Sequence, residues 1–113
     1  MKVITKPWGS ETIIEINKKY LLKKLYMKKN HRCSLQFHNL KKETIYVLKG
    51  KLKITIGSKK KKLQSKIYIK GQSITIKPKV IHRMEAITDS LYLEASTPEL
   101  NDVVRIVDDY KRV

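Results

Sequence analysis

The chain has 113 residues and a formal net charge of +16, a length that favours one domain, residues 1–113, with a modest core. Its basic residues are nearly all lysine. With only Arg32, Arg83, Arg105 and Arg112 to clamp phosphates or read bases, and no helical basic stripe, nucleic acid is not an expected partner. No apolar run approaches the roughly 18 residues of a membrane-crossing helix, the opening "MKVITKPWGSE" does not resemble a signal peptide, and the lone Cys33 has no internal disulfide partner, so a cytoplasmic, membrane-free setting is expected.

In chain order, β-branched or alternating segments recur: "ETIIEI" (11–16), "YLLKKLYM" (20–27), "RCSLQFH" (32–38), "ETIYVL" (43–48), "KLKITIG" (51–57), "KLQSKIYI" (62–69), "QSITI" (72–76), "IHRMEAI" (81–87), "SLYLEAS" (90–96) and "VVRIV" (103–107). Turn signals such as "INKKY", "KGK", "KGQ", "KPKV" and "TDS" separate several of them. Many short strands at regular spacing predict an all-β sandwich or barrel. The run "SKKKK" (58–62) reads as a solvated hairpin loop. "PELND" (98–102) is the one helix candidate, a single turn.

Polar residues interrupt the segment "SLQFHNLKKETIYVLKG" (34–50) at Gln36, His38 and Glu43. Burying such groups is costly unless something satisfies them. Alternation puts Ser34, Gln36 and His38 on one face and Leu35 and Phe37 on the other. After the turn "NLKK", antiparallel pairing would bring Glu43 back beside His38. An imidazole, a carboxylate and an amide oxygen converging on one point can hold a divalent metal. His82, in "PKVIHRM", is the candidate fourth ligand, because barrel closure can bring distant strands together. His31 precedes the strand and reads as a loop residue or a supporting partner of a ligand. Cys33 reads as a small core residue rather than a nucleophile.

The spacing Gln36, His38, Glu43, Gly50, followed by Pro78 and His82, resembles the two motifs of the cupin superfamily. Within it, "SLQFH" is similar to the "SLQxH" of phosphomannose isomerases. "KPWGSE" (6–11), "HRM" (82–84) and "DVVRIVDDYKR" (102–112) are similar to segments of the type II isomerase domain, often fused to a mannose-1-phosphate guanylyltransferase. The resemblance covers nearly the whole chain and implies a cupin double-stranded β-helix, a jelly-roll-like barrel. It also implies a bound divalent metal, zinc first, with manganese, iron, cobalt or nickel chemically possible at such a donor set.

This chain departs from that family at three places. Asn39, Leu40, Lys41 and Lys42 replace a run of histidines and an arginine, Thr44 follows the glutamate where histidine is usual, and Lys79 stands where glycine is usual. These 113 residues contain no guanylyltransferase-like segment, so nucleotidyl transfer is not expected of them.

The activity implied is metal-dependent interconversion of mannose 6-phosphate and fructose 6-phosphate, in which the cation polarises a sugar carbonyl as a Lewis acid. Isomerisation or epimerisation of another sugar or nucleotide sugar is the alternative, and a non-catalytic sugar-binding module is a third reading. Glu94, in phase with Tyr92 and Ser96, is the candidate acid–base residue, or else the partner of a basic side chain; Glu85 is a weaker candidate. Arg83, beside His82, is the candidate catalytic cation. Arg32 and Arg105 are candidate phosphate contacts, though nearby Asp102, Asp108 and Asp109 offer all three arginines structural partners. Trp8 is placed over the barrel mouth or in the core. A two-fold homodimer is expected, with the terminal segments on the neighbouring subunit.

Overall fold

The computed structural model describes residues 2–111. Eleven strands follow in order: β1 (Lys2–Lys6), β2 (Gly9–Ile16), β3 (Leu21–Met27), β4 (Leu35–Phe37), β5 (Glu43–Lys49), β6 (Lys51–Gly57), β7 (Gln64–Ile69), β8 (Ser73–Ile76), β9 (Ile81–Ala86), β10 (Ser90–Ser96) and β11 (Val104–Val107). They form a six-stranded sheet, β1-β2-β3-β10-β5-β8, and a five-stranded sheet, β11-β4-β9-β6-β7. Every pairing is antiparallel. No helix occurs among the described residues, and "PELND" forms only a turn at Leu100 and Asn101.

The expected strands are present with adjusted limits. The opening segment supplies β1, which pairs with β2 from Lys2 opposite Ile13 to Lys6 opposite Gly9. The segment around Gln36 shortens to the three residues of β4, because the chain is leaving one sheet for the other. The Gly50 turn joins β5 in the first sheet to β6 in the second. Gly50 has φ +91°, and a Cβ there would stand 2.3 Å from the carbonyl oxygen of Asp89. Glycine alone meets both conditions.

Alternation sets what lies between the sheets. Leu25, Met27, Ile45, Val47, Ile76 and Tyr92 from the first sheet pack with Leu52, Ile54, Tyr68, Met84 and Ala86 from the second. The same inward phase carries Lys23 on β3, Glu43 on β5, His82 on β9 and Glu94 on β10 into buried positions. The interior is thus apolar at one end and charged at the other, and the charged end holds the candidate site.

Candidate metal centre

His38, Glu43 and His82 converge, with one ligand atom from each lying within 4.8 Å of the others. Glu43 Oε1 is 3.2 Å from His38 Nε2 and 3.0 Å from His82 Nε2, and the imidazole centroids are 5.0 Å apart. His82 is 0%, Glu43 2% and His38 4% exposed. The expected hairpin is not what joins them. β4 and β5 belong to opposite sheets, so residues 39–42 carry the chain across and the side chains meet through the interior. Gln36 lies directly opposite His82 in the β4–β9 pairing, and its Oε1 accepts a hydrogen bond from Ser34 Oγ at 2.5 Å.

The hydrogen bonds fix how these rings point. His38 Nδ1 donates to the carbonyl oxygen of Asp102 at 2.5 Å and His82 Nδ1 to that of Val80 at 3.0 Å. A carbonyl only accepts, so the proton of each neutral ring sits on Nδ1 and each Nε2 presents a lone pair. Two lone pairs and a carboxylate oxygen therefore face one another in a buried space. Such a group of acceptors repels itself unless a cation, whether proton or metal, sits among them. His82 Nε2 is fully buried, and its polar neighbour is Glu43 Oε1 at 3.0 Å. The donor set of two imidazoles, a carboxylate and a nearby amide oxygen fits a divalent metal.

Electrostatics follows the same geometry. Burial works against charge on His38, but the hydrogen bond and charge of Glu43 outweigh it and raise the imidazole above its ordinary value. Burial would also raise the Glu43 carboxyl. Its bonds to His38 and His82 and the positive charge of Lys41 instead hold it well below the usual carboxylate range.

A cavity of about 450 Å³ opens beside this group, with Gln36, His38 and Glu43 on its wall. Facing them is a set of buried ion pairs. Lys41 Nζ lies 2.7 Å from Glu94 Oε2 and 3.8 Å from Glu43 Oε2. Glu11 is 3.3 Å from Lys23 and 3.6 Å from Lys6. Burial and the neighbouring Glu43 charge push the Glu94 carboxyl up. Lys41 would be lowered by burial, yet Glu94 and Glu43 raise it.

Sequence reasoning missed Lys41, Lys23 and Glu11. Lys23 was legible in principle, since it shares the phase of Leu21, Leu25 and Met27. Lys41 lies in a turn, where no periodicity points it inward.

The other predicted residues divide. Glu94 faces the interior, and both of its readings apply: it lines the cavity and is ion-paired with a lysine. Arg105, opposite Gln36 in the β4–β11 pairing, also lines the cavity. Trp8 does so as well while packing in the core. Cys33 is a buried core residue whose thiol burial pushes up to about 11, and His31 sits in a loop with Nδ1 3.1 Å from the Lys29 carbonyl oxygen.

Arg32 and Arg83 are not brought to the cavity. Arg83 follows His82 on β9 and so points to the opposite face. Its Nε donates to the Cys33 carbonyl at 2.9 Å, and one terminal nitrogen donates to the Val107 carbonyl at 3.2 Å and lies 3.6 Å from Asp109. Arg32 bridges to Glu85 and grips Asp109 with bonds of 2.6 and 3.1 Å. Together they latch the β11 segment rather than reach a ligand. Arg112 lies outside the described residues, as do Met1 and Val113.

The comparisons with known proteins agree with this architecture. The family model described as "Mannose-6-phosphate isomerase C-terminal" matches residues 1–95. Mannose-1-phosphate guanylyltransferase 2 of Escherichia coli O157:H7 is 27% identical, over 96% of this chain and 22% of its own length. Mannose-1-phosphate guanylyltransferase RfbM of Salmonella typhimurium is 28% identical, over 73% of this chain and 16% of its own. The chain therefore spans about a fifth of the length of the curated relatives it matches. An RmlC-like cupin from Shewanella frigidimarina shares the fold, with a TM-score of 0.77 at 16% identity over 88% of this chain and 86% of that one. With the family model matching most of the chain, and the cupin fold carrying the Gln36–His38–Glu43–His82 pattern at its charged end, the chain belongs to the mannose-6-phosphate isomerase C-terminal family of cupins.

Proposed function

We propose that the chain, as one domain over residues 1–113, is a metal-dependent sugar-phosphate isomerase that interconverts mannose 6-phosphate and fructose 6-phosphate. One observation carries the reading: a His38–Glu43–His82 group with facing lone pairs borders a cavity whose walls also present Lys6, Lys23, Lys41 and Arg105. A cavity of about 450 Å³ is within the range of small-molecule sites, and although Lys6, Lys23 and Lys41 are paired with Glu11 and Glu94, a bound divalent cation together with Arg105 would suit an anionic sugar phosphate.

Gln36, His38, Glu43 and His82 would hold the divalent cation, with zinc the first choice and manganese, iron, cobalt or nickel compatible with the donors. A divalent metal held by these residues would supply Lewis acidity for polarising a sugar carbonyl. Glu94, which lines the cavity, would move the proton between C1 and C2 of the open-chain sugar, and burial and the Glu43 charge push its carboxyl up. Lys41 holds Glu94 in place and keeps a positive charge beside it. Arg105 faces the phosphate, and Trp8 closes the apolar side of the cavity.

Conversion of mannose 6-phosphate by metal-loaded protein in a coupled assay, with deuterium exchange at C2, tests this reading. Absence of both turnover and exchange would exclude it. Turnover of a different sugar phosphate would support the alternative substrate, and the turn at residues 39–42, which differs from the family pattern and places Lys41 in the cavity, favours looking there first. Sugar binding without turnover would support a binding module.

The protein is further proposed to be a cytoplasmic homodimer. Val3, Ile14 and Ile16 on β1 and β2, with Tyr20 in the turn that follows, are apolar and exposed, a surface that a second copy would cover.

A further inference from the structure

The turn that links His38 to Glu43 does not hold its own shape. Each backbone N–H from Asn39 to Lys42 is donated to the segment that connects β10 to β11. Asp102 takes three of them: Asn39 to Oδ1 at 3.0 Å, and Leu40 and Lys41 to Oδ2 at 2.7 and 2.9 Å. Thr97 takes the fourth on Oγ1 at 3.0 Å, and its own N–H returns to the Lys42 carbonyl at 3.0 Å. Successive N–H groups converging on one carboxylate form an anion nest, here filled from more than 60 positions away. The same Asp102 also uses its main chain, since its carbonyl oxygen receives His38 Nδ1–H.

One residue thus governs two things at once. The carbonyl selects the His38 tautomer that leaves Nε2 facing Glu43. The carboxylate shapes the turn between those two side chains and so sets where Lys41 enters the cavity.

We propose that Asp102 is the positioning residue of the metal centre, holding His38 Nε2 and the 39–42 turn in the geometry that accepts a divalent cation. It touches neither cation nor sugar. The inference rests on the metal-binding reading above, and its tests separate the two.

The probe is Co²⁺, whose affinity is read by chelator competition and whose visible absorption reports coordination geometry. A second readout is the ¹⁵N spectrum of the histidines in metal-free protein, recorded where the rings are neutral, which reports the His38 tautomer. Asp102→Ala keeps the carbonyl but frees the main chain that carries it from the 39–42 turn, and is expected to weaken Co²⁺ binding by roughly 10- to 100-fold, to alter the absorption of the remaining complex, and to reduce the Nδ1–H form of His38. Asp102→Asn, which loses one of two accepting oxygens, should fall between Asp102→Ala and the unaltered protein, and it carries the test if Asp102→Ala does not fold.

Asp89→Ala is the control. Asp89 accepts the Lys29 N–H at 2.8 Å at the other end of β10, so its loss removes a comparable loop bond far from the centre and should leave Co²⁺ binding unchanged. Unaltered affinity, absorption and tautomer in both Asp102 variants would overturn the proposal, as would an equal loss in Asp89→Ala. If the unaltered protein takes up no Co²⁺, the metal reading fails, and the His38 tautomer still decides whether Asp102 positions the ring.

Discussion

Lys41 and Glu94 form an ion pair of 2.7 Å in the interior, and neither side chain reaches appreciable solvent. A buried pair tolerates loss of one partner poorly, because the remaining charge stays desolvated. Lys41→Met is therefore expected to destabilise the fold by about 3 kcal/mol, measured by urea denaturation. An effect under about 0.5 kcal/mol, the size typical of surface changes, would mean that Glu94 is not charged in the native protein.

Glu94→Gln keeps the shape of the side chain and separates structure from catalysis. It should retain bound metal and, although the unpaired Lys41 lowers its stability, lower mannose 6-phosphate turnover of the folded protein by roughly 100-fold or more. Unchanged turnover would remove Glu94 from the reaction.

Metal content follows the donors. His38→Ala, His82→Ala and Glu43→Gln should each lose most bound metal, read by elemental analysis after dialysis, and lose turnover with it. Stripping the unaltered protein with chelator should lower its melting temperature, because a ligand that binds only the folded state stabilises it. Full occupancy in both histidine variants would place the cation elsewhere.

The latch between Arg32 and Asp109 responds to acid. The Arg32 hydrogen bond holds the Asp109 carboxyl below its ordinary value, so its contribution is present above the unfolded value of about 3.9 and is lost as pH falls through the lower folded one. Amide exchange in Val104–Val107 should therefore quicken relative to β3 below about pH 4, and Asp109→Asn should show that quickening already at neutral pH. Equal protection of the two strands across this range would show that the latch does not hold β11.

Lys79 occupies the left-handed region at φ +71°, with its N–H donated to the His38 carbonyl at 2.6 Å. A side chain there costs about 1–2 kcal/mol, partly offset by the greater freedom of glycine in the unfolded chain. Lys79→Gly should raise stability by up to about 1 kcal/mol. A lower melting temperature would show that the lysine side chain makes a compensating contact.

The proposed dimer is checked by light scattering at micromolar and higher concentrations. Val3→Lys with Ile16→Lys should shift any dimer to monomer without changing metal content. A monomeric mass for the unaltered protein would dismiss it.

The strand pattern and the core of the site were legible because they rest on local rules. Alternation assigns Gln36 and His38 to one face, and Glu43, Gly50 and His82 fall at spacings that a motif can record. The misplacements arise where such rules stop. Arg83 was judged by its nearness in sequence to His82, yet on a strand the next residue points away. Arg32 was judged in the same manner and is claimed by Asp109, 77 positions later. Lys41 gave no signal because a turn has no period. Asp102 was read as an arginine's partner, whereas its carboxylate accepts backbone N–H groups from a turn more than 60 positions earlier, a pairing invisible without the fold.

The clamp on residues 39–42 also orders events in time. Its donors leave the ribosome well before its acceptors, Thr97 and Asp102, so the pocket is closed by contacts of large sequence separation. Loops of that length are slow to close. During synthesis, β2 and β3 can pair before any ligand geometry exists, and cation capture then waits for Asp102. Metal uptake followed on nascent chains of increasing length would rise only after Asp102 has emerged, making the bound ion a reporter of completed folding rather than a seed for it.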